Sequence, residues 1–323
     1  MNTPDQLPLR LSVVIPVFTE EESLAPLADK LVAVFARLPF GAEVIFVDDG
    51  STDTSFAVIE ALHQRDPRFR AVGFRRNYRK AAALAAGFRE ARGEYILTMD
   101  ADLQDDPEEI PHLLEALEPD LDLVSGWKKK RHDPLSKTLP SRFFNRVTSL
   151  VSGIRLHDFN CGLKLYRREV AEDCLPYLYG ELYRFLPAMA HWAGYRVGEL
   201  PVQHHPRQFG KSKFGAKRLL NGFFDLLTIT FVVRFMTMPM HIFGSLGLVA
   251  SLAGGGICSY IAFLRFTHGN IQNHHPLLML GTLLVIVGIQ FFSTGLLGDM
   301  LASLHQRQSR TVRLSRRVGP EPT

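Results

Sequence analysis

Two stretches of this sequence carry no charged residue for longer than a soluble helix needs: Ile242 to Leu264 and Pro276 to Gly298. Each is about as long as an α-helix must be to cross roughly 30 Å of hydrocarbon. Within a bilayer, a helix is one of only two structures that satisfy every backbone N–H and C=O. The segment between them, Arg265 to His275, is too short to fold alone and holds one arginine, whereas the tail beyond carries Arg307, Arg310, Arg313, Arg316 and Arg317. Positive residues stay on the cytoplasmic side. The pattern therefore predicts a two-helix hairpin in the inner (plasma) membrane, with the N-terminal part and the tail both in the cytoplasm. Two buried core helices are the alternative. Neither run is expected to be a signal peptide, since "MNTPDQLPLR" has no apolar core.

The chain has 323 residues, 46% of them hydrophobic, and a formal net charge of +4. The positive residues gather in the tail and in Arg207, Lys211, Lys213, Lys217 and Arg218 before the first run. Attraction to anionic membrane lipid accounts for the excess, and no nucleic acid is required. Cys161, Cys174 and Cys258 show no paired spacing, which suits reduced thiols and offers no zinc site. Residues 216–240 are apolar but interrupted by Asp225 and Arg234. Charges at bilayer depth are costly, so this stretch is expected to lie in the interface as one or two helices; a third span is the alternative. Gly281, Gly288 and Gly295 recur every seventh residue, and Gly247, Ser251 and Gly255 every fourth. Each set lets helices approach closely, either within the hairpin or in a homo-oligomer. The expected organisation is a cytoplasmic domain over 1–215, interfacial helices over 216–240, a membrane region over 241–300 with spans at about 242–264 and 276–298, and a basic cytoplasmic tail over 301–323.

The N-terminal part alternates two periods. "LSVVIP", "AEVIFV", "FRAVGF", "YILTM" and "DLVSG" are short apolar runs bounded by polar or turn residues, with helical patterns between them. "YRVGELPVQ" is a further strand-like stretch after a less regular region. Such a rhythm predicts an α/β domain whose mostly parallel sheet is covered on both faces, and ligands bind outside the carboxyl ends of such strands. Asp48, Asp49 and Asp53 follow the second run, with Gly50 to make the turn; Asp100 and Asp102 follow the fourth. Two carboxylate clusters are thus expected at one edge of the sheet.

In an extended segment residues i and i+2 point the same way, so Asp100 and Asp102 can face one ion while Ala101 points inward. Magnesium takes one or two protein carboxylates and finds its other ligands in water and substrate phosphates. The D-A-D tripeptide therefore suggests a nucleoside diphosphate held through Mg2+ or Mn2+. An EF-hand loop would need glycine where Asp105 stands, a D-x-D-x-[TV] phosphatase would need Thr or Val where Gln104 stands, and no P-loop string occurs. Asp105 and Asp106, before Pro107, are expected to cap a helix start and suit its dipole. The basic stretches Lys128 to Arg131 and Arg207 to Lys213 would guide anionic substrates. His204, His205, His274 and His275 are expected at the surface, not on a metal.

Taken in order, "SVVIPVFTEEESL", "VIFVDDGSTDTS", "DADLQDDPEEI" and "QFGKSKF" resemble the family 2 inverting glycosyltransferases, specifically those that transfer sugars to polyprenyl phosphates such as dolichol or bactoprenol phosphate. The likeness covers about Leu11 to Phe214, and the two C-terminal runs are similar to the membrane hairpin of the bacterial members. The resemblance implies a GT-A (Rossmann-like) fold that takes a UDP-glucose or GDP-mannose type donor. It implies that Pro16, Phe18 and Glu20 line the base and ribose, with Asp48 and Asp49 contacting them. Asp100, Asp102 and Gln104 would hold metal and diphosphate, Arg207, Lys211 and Lys213 would close over the phosphates, and Asp158 would stand at the catalytic carboxylate. Two departures stand out. "RNYRK" has Arg79 where the family reads glycine, and its D-x-S-G appears here as D-F-N-C-G, Asp158 to Gly162, which blurs the register around Asp158.

The implied reaction is in-line displacement at an anomeric carbon, with the leaving diphosphate neutralised by the metal. A lipid monophosphate is already anionic at neutral pH, since phosphate monoesters have a second pKa of about 6. Asp158 is therefore expected to position more than to remove a proton. A processive polysaccharide synthase of the same fold would carry Q-x-x-R-W, and neither Trp127 nor Trp192 sits in that string. A non-catalytic, nucleotide-binding membrane scaffold or transport subunit would not need both aspartates of D-A-D.

Overall fold

The computed structural model of the protein describes residues 7–117, 119–129, 145–206, 239–268 and 274–308. They belong to two compact units, 1–229 and 230–323.

The first unit is built on a seven-stranded mixed sheet. Its strands are β1 (Leu9–Val17), β2 (Gly41–Asp48), β3 (Phe69–Gly73), β4 (Tyr95–Thr98), β5 (Leu123–Lys128), β6 (Lys164–Arg167) and β7 (Val197–Val202). They lie side by side in the order β3-β2-β1-β4-β6-β5-β7. The β1, β2, β3 and β4 pairings are parallel, β6 runs antiparallel to both β4 and β5, and β5 is parallel to β7. The first five strands and β7 are legible as short strand-like runs, and β1, β2 and β4 are nearly continuous in apolar residues because both sheet faces are covered there; in β1, Leu11, Val13, Val14, Ile15 and Val17 are wholly buried. Strand β6 is not. Its sequence "KLYR" opens on a buried lysine that interrupts the apolar signal.

Helices α1 (Glu21–Phe35), α2 (Ser55–Arg65), α3 (Lys80–Glu90) and α4 (Ile110–Leu117) fall where the 3.6-residue period places them. Helix α1 buries Leu24, Leu27, Ala28, Leu31 and Val34 along one stripe. Phe46, Phe69, Tyr95 and the leucines and valines of β1 and α1 fill the core beneath, each fully buried large side chain contributing about 1.5–3 kcal/mol. Two short helices, α5 (Arg168–Cys174) and α6 (Leu186–Trp192), follow β6.

This topology decides what meets where. Because β6 is antiparallel to β4 and to β5, strands β5 and β7 point the same way as β1 to β4. The carboxyl ends of β1, β2, β4, β5 and β7 therefore share one edge with the start of β6. Chain order also reverses direction between β1 and β4, the switch point at which α/β sheets bind ligands.

The second unit is a pair of helices, α7 (Pro239–His268) and α8 (His275–Gln308). Met240–Thr267 and His275–Met300 are long and apolar enough to cross a membrane, with mean hydropathies of 1.7 and 2.1. Large apolar side chains such as Val249, Leu252, Phe263, Phe266 and Met279 face outward from the pair. The two helices pack through their small residues: a Cβ on Gly247 would stand 2.6 Å from Gly288 O, and one on Gly254 2.6 Å from Gly281 O. Most of the recurring glycines are thus taken up within the hairpin, while Gly255 meets nothing within 4 Å. Of the interfacial stretch expected over 216–240, residues 239–240 begin α7 and the rest lies outside the described residues; of the basic tail expected over 301–323, residues 301–308 continue α8 and the rest lies outside them.

Candidate active site

The predicted carboxylates come to one edge. Strand β2 ends on Asp48, whose Oδ1 accepts the Ser51 amide at 3.2 Å and closes the turn at Gly50 (φ 71°). Asp48 and Asp49 are almost fully buried. The stretch after β1 lies beside them: Asp49 N donates to Val17 O at 2.8 Å, Thr19 N to Ser51 Oγ at 2.9 Å and Glu20 N to Ser55 Oγ at 3.0 Å. Pro16, Phe18 and Glu20 are therefore brought to the Asp48–Asp53 turn. Asp53 Oδ1 accepts the first amide of α2, that of Ser55, at 3.1 Å.

The loop between β3 and α3 joins the two clusters. Asp49 Oδ1 accepts the Tyr78 amide at 2.6 Å, and two residues later the Lys80 ammonium is paired with Asp100 Oδ1. Burial lifts the Asp49 carboxyl above its usual range against the pull of the Tyr78 and Arg79 amides, and the neighbouring Asp48 charge adds to the lift. Arg79, between these contacts, has φ 73° and ψ 165°, a region that is essentially glycine territory.

Asp100, Ala101 and Asp102 follow β4, and the burial alternates as expected: Ala101 is buried while Asp100 and Asp102 are half-buried. The segment is not extended, however. Residues 101–102 form a turn and Leu103 has φ 59°. Asp102 Oδ1 accepts the Gln104 amide at 3.2 Å, and Gln104 O in turn accepts the His205 amide at 2.9 Å and faces His204 Nδ1 at 3.1 Å. His205 Nε2 lies 2.8 Å from Asp106 Oδ2. These two histidines are half-buried struts that hold the end of β7 to the D-A-D turn, which corrects the surface placement expected for them. Asp106 does cap the short turn at Pro107, accepting the Glu108 amide at 3.2 Å. Asp105 does not. It is 1% exposed, pairs with Lys128 at 3.1 Å, and accepts the Asp100 amide at 3.4 Å.

Lys80, Lys128 and Lys164 all act on Asp100. Burial works against the charge of Lys80, but Asp100 and then Tyr183, whose ring centroid lies 5.3 Å from the ammonium, outweigh it and raise its pKa. The same contest ends with Asp100 below the usual carboxylate range. Lys128, at the end of β5, is likewise held protonated by Asp105 against burial. Lys164, which opens β6 and is paired with Cys161 O, is pushed down by burial, with the Lys80 charge adding to it, despite Cys161, Asp158 and Asp100. Burial also pushes the Cys161 thiol up to about 12, so it is an inert neighbour. Sequence reasoning missed Lys80 and Lys164 and misassigned Asp105 as a helix cap. The available signal was position: each lysine abuts a strand or helix end at the ligand edge.

Asp158 is buried, at 1% exposure. Its amide donates to Glu199 Oε1 of β7 at 2.9 Å and its Oδ1 accepts the Asn160 amide at 3.0 Å. Its loop is pinned by Asn145 Nδ2, which donates to His157 O at 2.7 Å, and by the His157 ring stacked on Trp127 at 4.1 Å. Gly162, four residues on, supplies the close approach: a Cβ there would stand 2.6 Å from Asp100 Oδ2 and 3.0 Å from Asp105 Oδ2. Arg207, Lys211 and Lys213 lie outside the described residues.

Residues 12–175 match the model of glycosyl transferase family 2. The chain is 39% identical over 313 residues, 95% of this chain and 91% of the other, to a dodecaprenyl-phosphate galacturonate synthase of Rhizobium johnstonii. It is 36% identical to an undecaprenyl-phosphate 4-deoxy-4-formamido-L-arabinose transferase of Pseudomonas aeruginosa, over 91% of this chain and 86% of that one. Among solved structures, a glucosyl-3-phosphoglycerate synthase of Mycobacterium tuberculosis, determined with Mn2+, UDP and phosphoglyceric acid, superposes with a TM-score of 0.54 at 16% identity, covering 68% of this chain and 78% of that one. That likeness shows the GT-A fold.

Proposed function

The chain belongs to glycosyl transferase family 2, and from that premise we propose that it transfers a single sugar, with inversion, from a nucleotide sugar to a polyprenyl phosphate at the cytoplasmic face of the inner membrane. The observation that carries the reading is the D-A-D turn at the switch point of the sheet, bridged to the Asp48–Asp49 pocket by residues 78–80. The curated relatives, which match over nearly the whole chain, are named for polyprenyl-phosphate acceptors. Two helices long and apolar enough to span a bilayer fit a lipid acceptor.

The residues present fit a divalent cation. Among those described, no group of three or more His, Cys, Asp or Glu could cage a metal, so the site offers at most the pair Asp100 and Asp102. That is the donor set Mg2+ or Mn2+ accepts when substrate phosphates complete the shell. Held there, the ion would neutralise the departing diphosphate. The protein's own part is electrostatic and positional. Asp48, Asp49 and the Pro16–Glu20 stretch bind the nucleoside, with Gln104 holding Asp102 in place. The basic residues Arg207, Lys211 and Lys213 draw in the anionic phosphates. Asp158, buried and held by Glu199 and Asn160, positions the sugar or acceptor more than it removes a proton.

The test is to incubate membranes containing the protein with undecaprenyl phosphate, Mg2+ or Mn2+, and labelled UDP-glucose, GDP-mannose or UDP-galacturonate. Labelled lipid is expected with one donor, lost in Asp102→Asn and largely retained in Asp158→Asn. No labelled lipid with any donor would sink the proposal, and loss of turnover in Asp158→Asn would restore the base role.

A further inference from the structure

Asp100 Oδ1 carries the ammonium of Lys80, while Oδ2 faces Gly162, where a Cβ would stand 2.6 Å away. The two neighbouring lysines are committed elsewhere, Lys128 to Asp105 and Lys164 to Cys161 O. Lys80 is kept in place from the far side by the Tyr183 ring and from the near side by the backbone of residues 78–79, which donates to Asp49. A divalent ion on Asp100 therefore binds a carboxylate that already carries the Lys80 ammonium and lies beside that fixed positive charge.

We propose that Lys80 is the resident counter-ion of Asp100, that it excludes a divalent cation from the free protein, and that it moves onto the diphosphate when donor binds, so that metal and nucleotide enter together. This rests on the reading of Asp100 as a metal ligand. The physical reason is charge. A bare divalent ion meets a fixed positive charge and gains one carboxylate already neutralised. A nucleoside diphosphate brings negative charge that can satisfy both the ion and the ammonium, and Lys80 then becomes a positioning and phosphate-binding group on the leaving diphosphate.

The experiment titrates Mn2+ into purified full-length protein in detergent and reads free Mn2+ by electron paramagnetic resonance, without nucleotide and with UDP or GDP. Wild-type protein should bind Mn2+ weakly alone and at least about tenfold more tightly with one of the two nucleotides. Removing a unit charge about 4 Å from a divalent ion is worth about tenfold or more even at the dielectric of water. Lys80→Gln should therefore bind Mn2+ about tenfold more tightly than wild type without nucleotide, and gain less from nucleotide. Lys80→Arg should behave as wild type. Unchanged or weaker nucleotide-free binding in Lys80→Gln would overturn the inference, as would wild-type protein that binds Mn2+ equally with and without nucleotide. Neither result would touch the metal reading. Failure of wild-type protein to bind Mn2+ under any condition would remove both, and the wild-type comparison needs no variant to fold.

Discussion

Arg79 offers the sharpest test of the local physics. Its φ of 73° and ψ of 165° lie where a Cβ is strained, at a cost of about 1–3 kcal/mol. The conformation is forced from both sides. Asp49 fixes the Tyr78 amide at 2.6 Å, Asn77 Oδ1 holds the Arg79 amide at 3.2 Å, and one residue later Lys80 must reach Asp100. Beneath, Gly50 meets the same loop so closely that a Cβ would stand 2.5 Å from the carbonyl carbon of Arg76. Arg79→Gly should relieve the strain, less about 0.4–1 kcal/mol for the extra freedom of glycine in the unfolded chain. The net gain of roughly 1 kcal/mol corresponds to a Tm higher by about 2–4 °C for a unit of this size. Arg79→Ala removes the same charge but keeps the Cβ, so it should gain nothing. Thermal unfolding of the full-length proteins in one detergent separates the two. An equal rise in both variants would place the effect in charge and refute the backbone argument.

Two further outcomes follow from buried contacts. Glu43 is 2% exposed and accepts from Ser12 Oγ, the Arg92 amide and guanidinium, and Arg70. Burial would raise its pKa, but Arg92 and Ser12 hold the carboxyl below its usual value. A depressed carboxyl stabilises the fold above its unfolded pKa of about 4.5 and loses that contribution as pH falls through the folded value; Glu43→Gln should cost about 1.5–3 kcal/mol at pH 7 and flatten the acid limb of a stability–pH curve. Gly162→Ala should displace Asp100, since its Cβ would stand 2.8 Å from Asp100 Cγ. A shift of about 1 Å at a reacting centre can cost roughly a hundredfold in turnover, measured as labelled lipid per minute, and normal turnover would show that the Asp100 carboxylate is not placed by this contact.

What the sequence disclosed and what it hid divide along one line. The parallel strands and their helices were readable because each forms an apolar run or repeats a period, and the carboxylates at their ends followed from the rule that ligands bind there. Strand β4 is as short as β6, but it lies in an uninterrupted apolar run, whereas β6 begins on Lys164 and ends on Arg167, so no apolar signal announces it. Its antiparallel insertion between β4 and β5 is what places Lys164 and the Asp158–Gly162 loop against Asp100, and only the folded topology contains that fact. The roles of His204, His205 and Asp105 were misread for the same reason: each is decided by a partner about a hundred or about twenty residues away.

The crowding of aspartates after β4 is best understood through these partners. Like charges this close would repel, and a metal alone would have to be present at all times to hold them. Instead Lys80 faces Asp100, Lys128 faces Asp105, His205 faces Asp106, and the Asp102 carboxylate accepts the Gln104 amide. Each carboxylate of the cluster thus has a partner supplied by the chain itself. It also follows that neutralising Asp105 unpairs a buried ammonium on Lys128 while neutralising Asp106 unpairs only a half-exposed imidazole. The two adjacent residues should therefore differ sharply in stability loss, Asp105→Asn costing about 3–5 kcal/mol as a broken buried pair and Asp106→Asn, which keeps the capping oxygen and loses only the charge facing His205, about 0–1 kcal/mol. Equal losses in urea unfolding would contradict the inward role assigned to Asp105.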